Sequence, residues 1–174
     1  TRFMSWADPA TEYPRMLQEL TQDDGRNAMI ATDVIREAGN GSGICLVLTD
    51  RREHAVRLMM KIRAGGIRAE VLTGDLPAKE RQGIVDRLNT GEIPVLVATG
   101  QLIGEGFDCR ELSTLFLATP IRFDGRVRQY LGRVMRPAPG KDQAVLYDYI
   151  DINVGVLRAS AKERARVYEG GRGA

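Results

Sequence analysis

Two cysteines in 174 residues, Cys45 and Cys109, are too few for a disulfide framework and lack the Cys-x-x-Cys spacing of a metal site. They read as unpaired thiols of a reduced compartment, and a cytoplasmic location is the expectation. No stretch approaches the roughly 20 uncharged apolar residues that a membrane helix needs. Residues 1–9 lack the basic start and apolar run of a secretion signal, and Thr1 is not methionine, so the sequence reads as an excised piece of a longer protein. A net charge of +2, from 25 basic and 23 acidic residues, is too small to argue for nucleic acid by itself. Charge therefore has to be read locally. Neither an internal repeat nor a low-complexity tract is present, and Gly-Gly-Arg-Gly-Ala at the end reads as a frayed tail.

What is present is an alternation of strands and helices, in a chain long enough for one substantial core. Ile44-Cys-Leu-Val-Leu48, bounded by Gly43 and Thr49-Asp50, has the continuous apolar character of a strand buried on both faces. A helix follows, with Asp50 and Glu53 spaced like a capping box, Ala55, Leu58, Met59 and Ile62 at helical intervals, and Gly65-Gly66 as the stop. The step repeats with a strand at 69–72, a turn at Gly74-Asp75, a helix from about 77 to 88, and a strand at 95–98 ending at Thr99. Further strands are expected at 114–117 and 144–147, with helices around 127–135 and within 154–168. Such alternation predicts an α/β fold, a doubly wound parallel sheet flanked by helices. Two earlier helices, 13–20 and 28–38, joined through Asp23-Asp24-Gly25, read as a lead-in.

In a parallel sheet, ligands meet the carboxyl ends of the strands, where loops and helix starts converge. Thr49-Asp50-Arg51-Arg52, Gly74-Asp75 and Thr99-Gly100-Gln101 all fall at such ends. Taken singly, each is explained by capping and turn chemistry; together they offer hydroxyls, amides and cations to one edge. The helix spanning 126–136 carries two stripes. Val127, Tyr130, Leu131 and Val134 form an apolar face, while Gln129, Gly132, Arg133 and Arg136 recur at i, i+3, i+4 and i+7 on nearly the opposite side. A mid-helix glycine costs about 1 kcal/mol relative to alanine and gains nothing from water, so Gly132 points to close approach by another body. Two arginines a turn apart suit a phosphate; an ordinary solvated face is the competing reading of the same stripe.

Gln129-Tyr-Leu-Gly132-Arg133-Val-Met-Arg136 resembles the Gln-x-x-Gly-Arg-x-x-Arg motif six of superfamily-two helicases. The stretch Val97-Ala-Thr-Gly-Gln-Leu-Ile-Gly-Glu-Gly-Phe-Asp108 resembles their motif five, Leu46-Val-Leu-Thr49 their motif four, and residues 72–81 the intervening block that pairs a glycine with a helical arginine. The blocks stand in the family's order and cover residues 43–150. The resemblance is to the C-terminal RecA-like domain of DEAD/DEAH-type helicases or restriction-type motor subunits. It implies a lead-in over 1–42, the RecA-like domain over 43–152, and a C-terminal helix and tail over 153–174.

The resemblance further implies that Arg133 and Arg136 are arginine fingers toward the γ-phosphate of ATP, with Gln129 orienting the phosphate or the attacking water. Asp108 would reach the ribose, and Gly106 and Gly132 would allow close approach of the nucleotide. Thr49, Arg51, Gly74, Thr99, Gly100 and Gln101 would track a nucleic-acid backbone. Ahead of residue 43 there is neither a Gly-x-x-x-x-Gly-Lys-Ser/Thr loop nor an Asp-Glu pair after a strand. ATP and Mg2+ would therefore be held mainly by an N-terminal P-loop motor domain of the same protein, and this segment would not hydrolyse ATP alone. Motif five is one residue longer here than in the DEAD-box pattern, and Gln129 stands where that group has histidine, which turns the expectation toward DNA rather than RNA. The alternative is a nonenzymatic nucleic-acid or protein-binding module that kept this fold. A Rossmann-type enzyme is disfavoured because no Gly-x-Gly-x-x-Gly turn follows the first strand.

Overall fold

A computed structural model describes residues 1–41, 43–100, 109, 112–120, 131–132, 134 and 143–170. In chain order the elements are α1 (Tyr13–Gln22), α2 (Asp24–Gly39), β1 (Ile44–Thr49), α3 (Arg52–Ala64), β2 (Ala69–Leu72), α4 (Ala78–Asn89), β3 (Val95–Thr99), β4 (Leu112–Leu117), β5 (Val145–Asp148) and α5 (Gly155–Gly170). The five strands form one sheet in the order β2-β3-β1-β4-β5, and every pairing is parallel.

Alternation along each strand builds two cores, one per face. Leu46, Leu48, Leu96, Leu115 and Leu117 point to the side covered by Ile84 and Leu88 of α4. Cys45, Val47, Val97 and Phe116 point to the other, under Ile30, Ala31 and Val34 of α2 and Ala55, Leu58 and Ile62 of α3. The chain steps outward from β1 to β2 over one face and returns to β3 over the other, as right-handed crossovers require. β1 and β4 are buried at every residue, which accounts for the apolar run Ile44–Leu48 of β1, while β4 buries Ser113 and Thr114 beside its apolar residues. α2 thus covers the sheet, and the segment read as a lead-in contributes directly to the core. A third, smaller cluster joins Phe3, Ala7, Met16 and Leu20 to Val154 and Leu157 at the start of α5.

Local signals act much as their spacing suggests, with one correction. Asp23 separates α1 from α2 and caps the latter, its carboxylate accepting from the Arg26 amide at 2.6 Å. Any side chain at Gly65 would run into Ile35 Cδ1, and Gly66 has φ +85°, so this pair ends α3 while letting α2 approach it. The capping box expected from Asp50 and Glu53 does not form: α3 is capped by extended Arg51, with no side-chain cap hydrogen bond. Asp50 instead donates its amide to Thr119 Oγ1 at 3.0 Å, a tie to the end of β4 that takes it out of the capping position.

A charged pair is buried at the start of α2. Arg26 and Asp151, each with 1% side-chain exposure, pair at 3.0 Å, and a second Arg26 nitrogen donates to the Ala118 carbonyl at 2.6 Å. The pair pins the start of α2 to the ends of β4 and β5. Removing one partner leaves the other charge buried, so Arg26→Met should cost about 3–5 kcal/mol in urea unfolding. The double change of Arg26→Met with Asp151→Leu should recover a large part of that loss, because both charges leave together.

Candidate functional site

The register brings the carboxyl ends of four strands to one level. Thr49 lies opposite Thr99, Leu48 opposite both Ala98 and Leu117, and Leu72 opposite Ala98. Backbone bonds close this rim: the Gly100 amide donates to the Thr49 carbonyl at 3.3 Å, and the Ala118 amide to Leu48 at 2.8 Å. Arg52 and Asp75 meet at 2.8 Å and link the start of α3 to the loop after β2. The Thr73 hydroxyl, the Asp75 backbone amide and Arg52 together hold the Asp75 carboxyl below its ordinary range.

Five of the residues expected to track a nucleic acid are therefore at one edge. Arg51 and Gly74 are exposed, Thr99 and Gly100 are half-buried, and Thr49 is fully buried. Gln101 lies outside the described residues, as do Gly106, Asp108, Gln129, Arg133 and Arg136. Of the helix that carries the two stripes, Leu131, Gly132 and Val134 are described and helical. Leu131 packs against the core and Val134 is 1% exposed, whereas Gly132 faces outward. A Cβ built on Gly132 would meet nothing within 4 Å, so no packing need among the described residues calls for glycine there.

Behind the rim runs a polar chain that the sequence reading missed. Asn27 donates from Nδ2 to the Thr21 carbonyl at 3.0 Å, which leaves its Oδ1 as an acceptor 2.8 Å from His54 Nε2. His54 Nδ1 lies 2.8 Å from Thr49 Oγ1, and Thr49 Oγ1 accepts the Arg51 amide at 3.3 Å. Directions follow from the donor inventory. Nε2 of His54 carries the proton toward Asn27, so Nδ1 is a lone pair and takes the Thr49 hydroxyl proton. The imidazole is 1% exposed, and burial, reinforced by Arg26 and Arg57, pushes its pKa down to about 3. It is a neutral member of the chain. Thr49 hence turns its hydroxyl inward and holds the Arg51 amide. The one histidine of the sequence, in the first turn after β1, was the available signal; its partners lie 27 and 5 residues away, beyond the reach of any local pattern.

Among the described residues no group of three His, Cys, Asp or Glu side chains could hold a metal, and no helix is long and apolar enough to cross a membrane.

Residues 30–138 match the family model "Helicase conserved C-terminal domain", and the chain belongs to that family. The ATP-dependent RNA helicase SrmB of Haemophilus influenzae is 27% identical over 132 residues, covering 72% of this chain and 29% of that protein. The transcript termination protein A18 of fowlpox virus is 25% identical over 142 residues, covering 80% of this chain and 30% of that protein. The chain thus spans under a third of these relatives. Phage T4 UvsW superposes with a TM-score of 0.74 at 19% identity, covering 92% of this chain and 35% of that one. Escherichia coli SrmB does so at 0.62 and 21%, covering 78% of each. Those likenesses establish the RecA-like fold.

His54 sets a pH dependence of stability. The unfolded chain takes up its proton near 6.5, while the folded pKa is about 3, so the unfolded state binds more protons between these values. Stability should be full above 6.5 and fall as the pH drops toward 3, by at most about 1.4 kcal/mol per pH unit from this group. Urea unfolding at pH 7 and 5.5, above the range of most carboxyls, should show the loss in the natural chain and its absence in His54→Gln. Equal losses in both would show that His54 is not its source.

Proposed function

We propose that this helicase C-terminal domain is the second motor domain of an ATP-dependent nucleic-acid helicase or translocase. The observation that carries the reading is the rim itself, where three loops far apart in sequence present Arg51, Gly74, Thr99 and Gly100 at one level of a rigid sheet. A cation, a partly exposed hydroxyl and two glycines without side-chain bulk suit a phosphodiester backbone, which is contacted by charge and close approach rather than by base-edge readout. Thr49 serves this surface from behind by fixing the turn that bears Arg51, and Gln101 extends it. DNA is the proposed strand.

The nucleotide side of the proposal rests on motif six and motif five. Arg133 and Arg136 act as arginine fingers, Gln129 orients the phosphate or water, Asp108 reaches the ribose, and Gly106 and Gly132 admit the nucleotide closely. That no described residue lies within 4 Å of a Cβ built on Gly132 supports that approach. When bound, ATP supplies the phosphoanhydride bond whose hydrolysis powers movement; ATP and Mg2+ are held chiefly by an N-terminal P-loop domain of the full-length cytoplasmic protein.

Purified alone, the chain should turn over no ATP above background in a coupled assay; metal-dependent turnover by the pure chain would remove the half-enzyme reading. In the full-length protein, Arg133→Ala or Arg136→Ala should lower ATP turnover by on the order of a thousandfold, with far smaller change in ATP affinity. The double variant should lose less than the product of the single effects, because both act on one phosphate. Near-normal turnover in both well-folded single variants would leave a nonenzymatic module as the better account.

A further inference from the structure

The chain of bonds from Asn27 through His54 to Thr49 is costly to bury and is complete. Burying an amide and an imidazole without partners costs several kcal/mol, and their bonds return little net stability. Leucine or methionine in their place would fill the same volume between α2 and α3 without that cost. A satisfied polar network does what apolar side chains cannot: it holds one hydrogen-bonded arrangement against its alternatives. Here the arrangement ends on the amide of Arg51, the exposed cation of the rim.

We infer that His54 and Asn27 are positioning residues for the nucleic-acid side of the rim, drawing the Thr49 hydroxyl proton inward so that the Thr49–Arg51 turn presents Arg51 to a backbone phosphate. The inference rests on the proposed strand-binding role of that rim. Thr49 has one proton and gives it to His54 Nδ1. Its oxygen is then left with lone pairs directed at the Arg51 amide, which sets extended Arg51 (φ −124°, ψ 127°) at the head of α3. Asn27 fixes the tautomer, because its Oδ1 accepts only from a protonated Nε2. The start of α2 is itself fastened, by the Asp23 cap and by Arg26 on Asp151 and Ala118. α2 therefore supplies the fixed reference from which the turn is aimed.

Two substitutions separate the halves of the relay. In His54→Asn the amide oxygen falls where Nδ1 stood and still accepts from Thr49. In His54→Gln the amide nitrogen falls where Nε2 stood and still donates to Asn27, but the acceptor facing Thr49 is gone. The experiment uses the full-length protein, and titrates stimulation of ATP turnover with single-stranded DNA of mixed sequence for each variant and for Arg51→Ala. His54→Gln and Arg51→Ala should each raise the half-saturating DNA concentration about tenfold, the loss of one phosphate contact. His54→Asn should stay within about twofold of the natural protein. The maximal turnover rate and the KM for ATP should be unchanged in the two His54 variants, since saturating DNA restores the complex. A structural role alone would lower the maximal rate with the loss of folded protein and leave half-saturation in place; that outcome overturns the inference. So does a His54→Asn variant shifted as far as His54→Gln, or two His54 variants that both match the natural protein while Arg51→Ala is shifted. An unshifted Arg51→Ala removes the strand-binding reading of the rim, and the positioning role falls with it.

Discussion

Inside a parallel sheet covered on both faces, a central strand has unpaired backbone only at its ends, and that constraint shapes the rest of this molecule. The ladder satisfies the interior of β1, β3 and β4, but their last residues have amides and carbonyls that must find partners where loops begin. Gly100 on Thr49, Ala118 on Leu48 and Asp50 on Thr119 are those partners. The rim that results is stiff because it belongs to the hydrogen-bonded body of the sheet. A contact surface held in this way loses little freedom on binding, which favours recognition of a repeating backbone by fixed points.

Much of this was legible in the sequence, for reasons that differ by element. β1 is buried on both faces, and its unbroken apolar run from Ile44 to Leu48 says so, whereas Ser113 and Thr114 interrupt the run in β4, which is buried as fully; Gly65-Gly66 ends α3 because one glycine lies where α2 comes too close and the other has a positive φ. The five rim residues were found by position, since a strand's end is set by where its apolar run stops. What escaped depends on pairs remote in sequence. Asp50 reads as a cap by local spacing, yet Thr119, 69 residues on, claims its amide. The two helices ahead of β1 read as a lead-in because nothing in them resembles a nucleotide-binding strand and loop; Arg26 and Asn27, which fall between the helices as read from sequence, are among the most buried polar side chains described. No periodicity distinguishes an arginine in water from one paired at 1% exposure.

The buried polar groups explain why α2 is a rigid part of the domain. At its start stand Arg26, bound to Asp151 and the Ala118 carbonyl, and Asn27, bound to His54. Further along, Asp33 accepts from the Tyr149 hydroxyl at 3.2 Å and Glu37 from the Tyr147 hydroxyl at 2.7 Å. Both tyrosine hydroxyls are made harder to ionise, by Glu37 for Tyr147 and by burial for Tyr149. They act as neutral donors. An apolar helix face alone fixes the distance to a sheet more strictly than the position along it, whereas five directed bonds along one helix fix both.

The same bonds settle the fate of β5, a four-residue edge strand with every residue partly exposed. Such an edge invites pairing by another chain unless it is covered. Tyr147 stacks on Phe116 at 4.6 Å with 13° between planes and is roofed by α2 on one face. On the other, Asp148 takes two bonds of 2.8 Å from Arg164 of α5 and one of 3.0 Å from the Tyr168 hydroxyl. Arg164 is 2% exposed, so α5 is anchored by charge in the way that α2 is. The helices before the first strand and after the last thus clamp one short strand between them. The Thr1 hydroxyl joins the clamp on Asp151, just past the end of β5. Because Asp151 also holds Arg26, and Arg26 adjoins Asn27, the clamp at the sheet's edge and the relay behind Arg51 meet at consecutive residues of α2. A strand end on one side of the sheet and a cation on the other are in this way referred to a single helix.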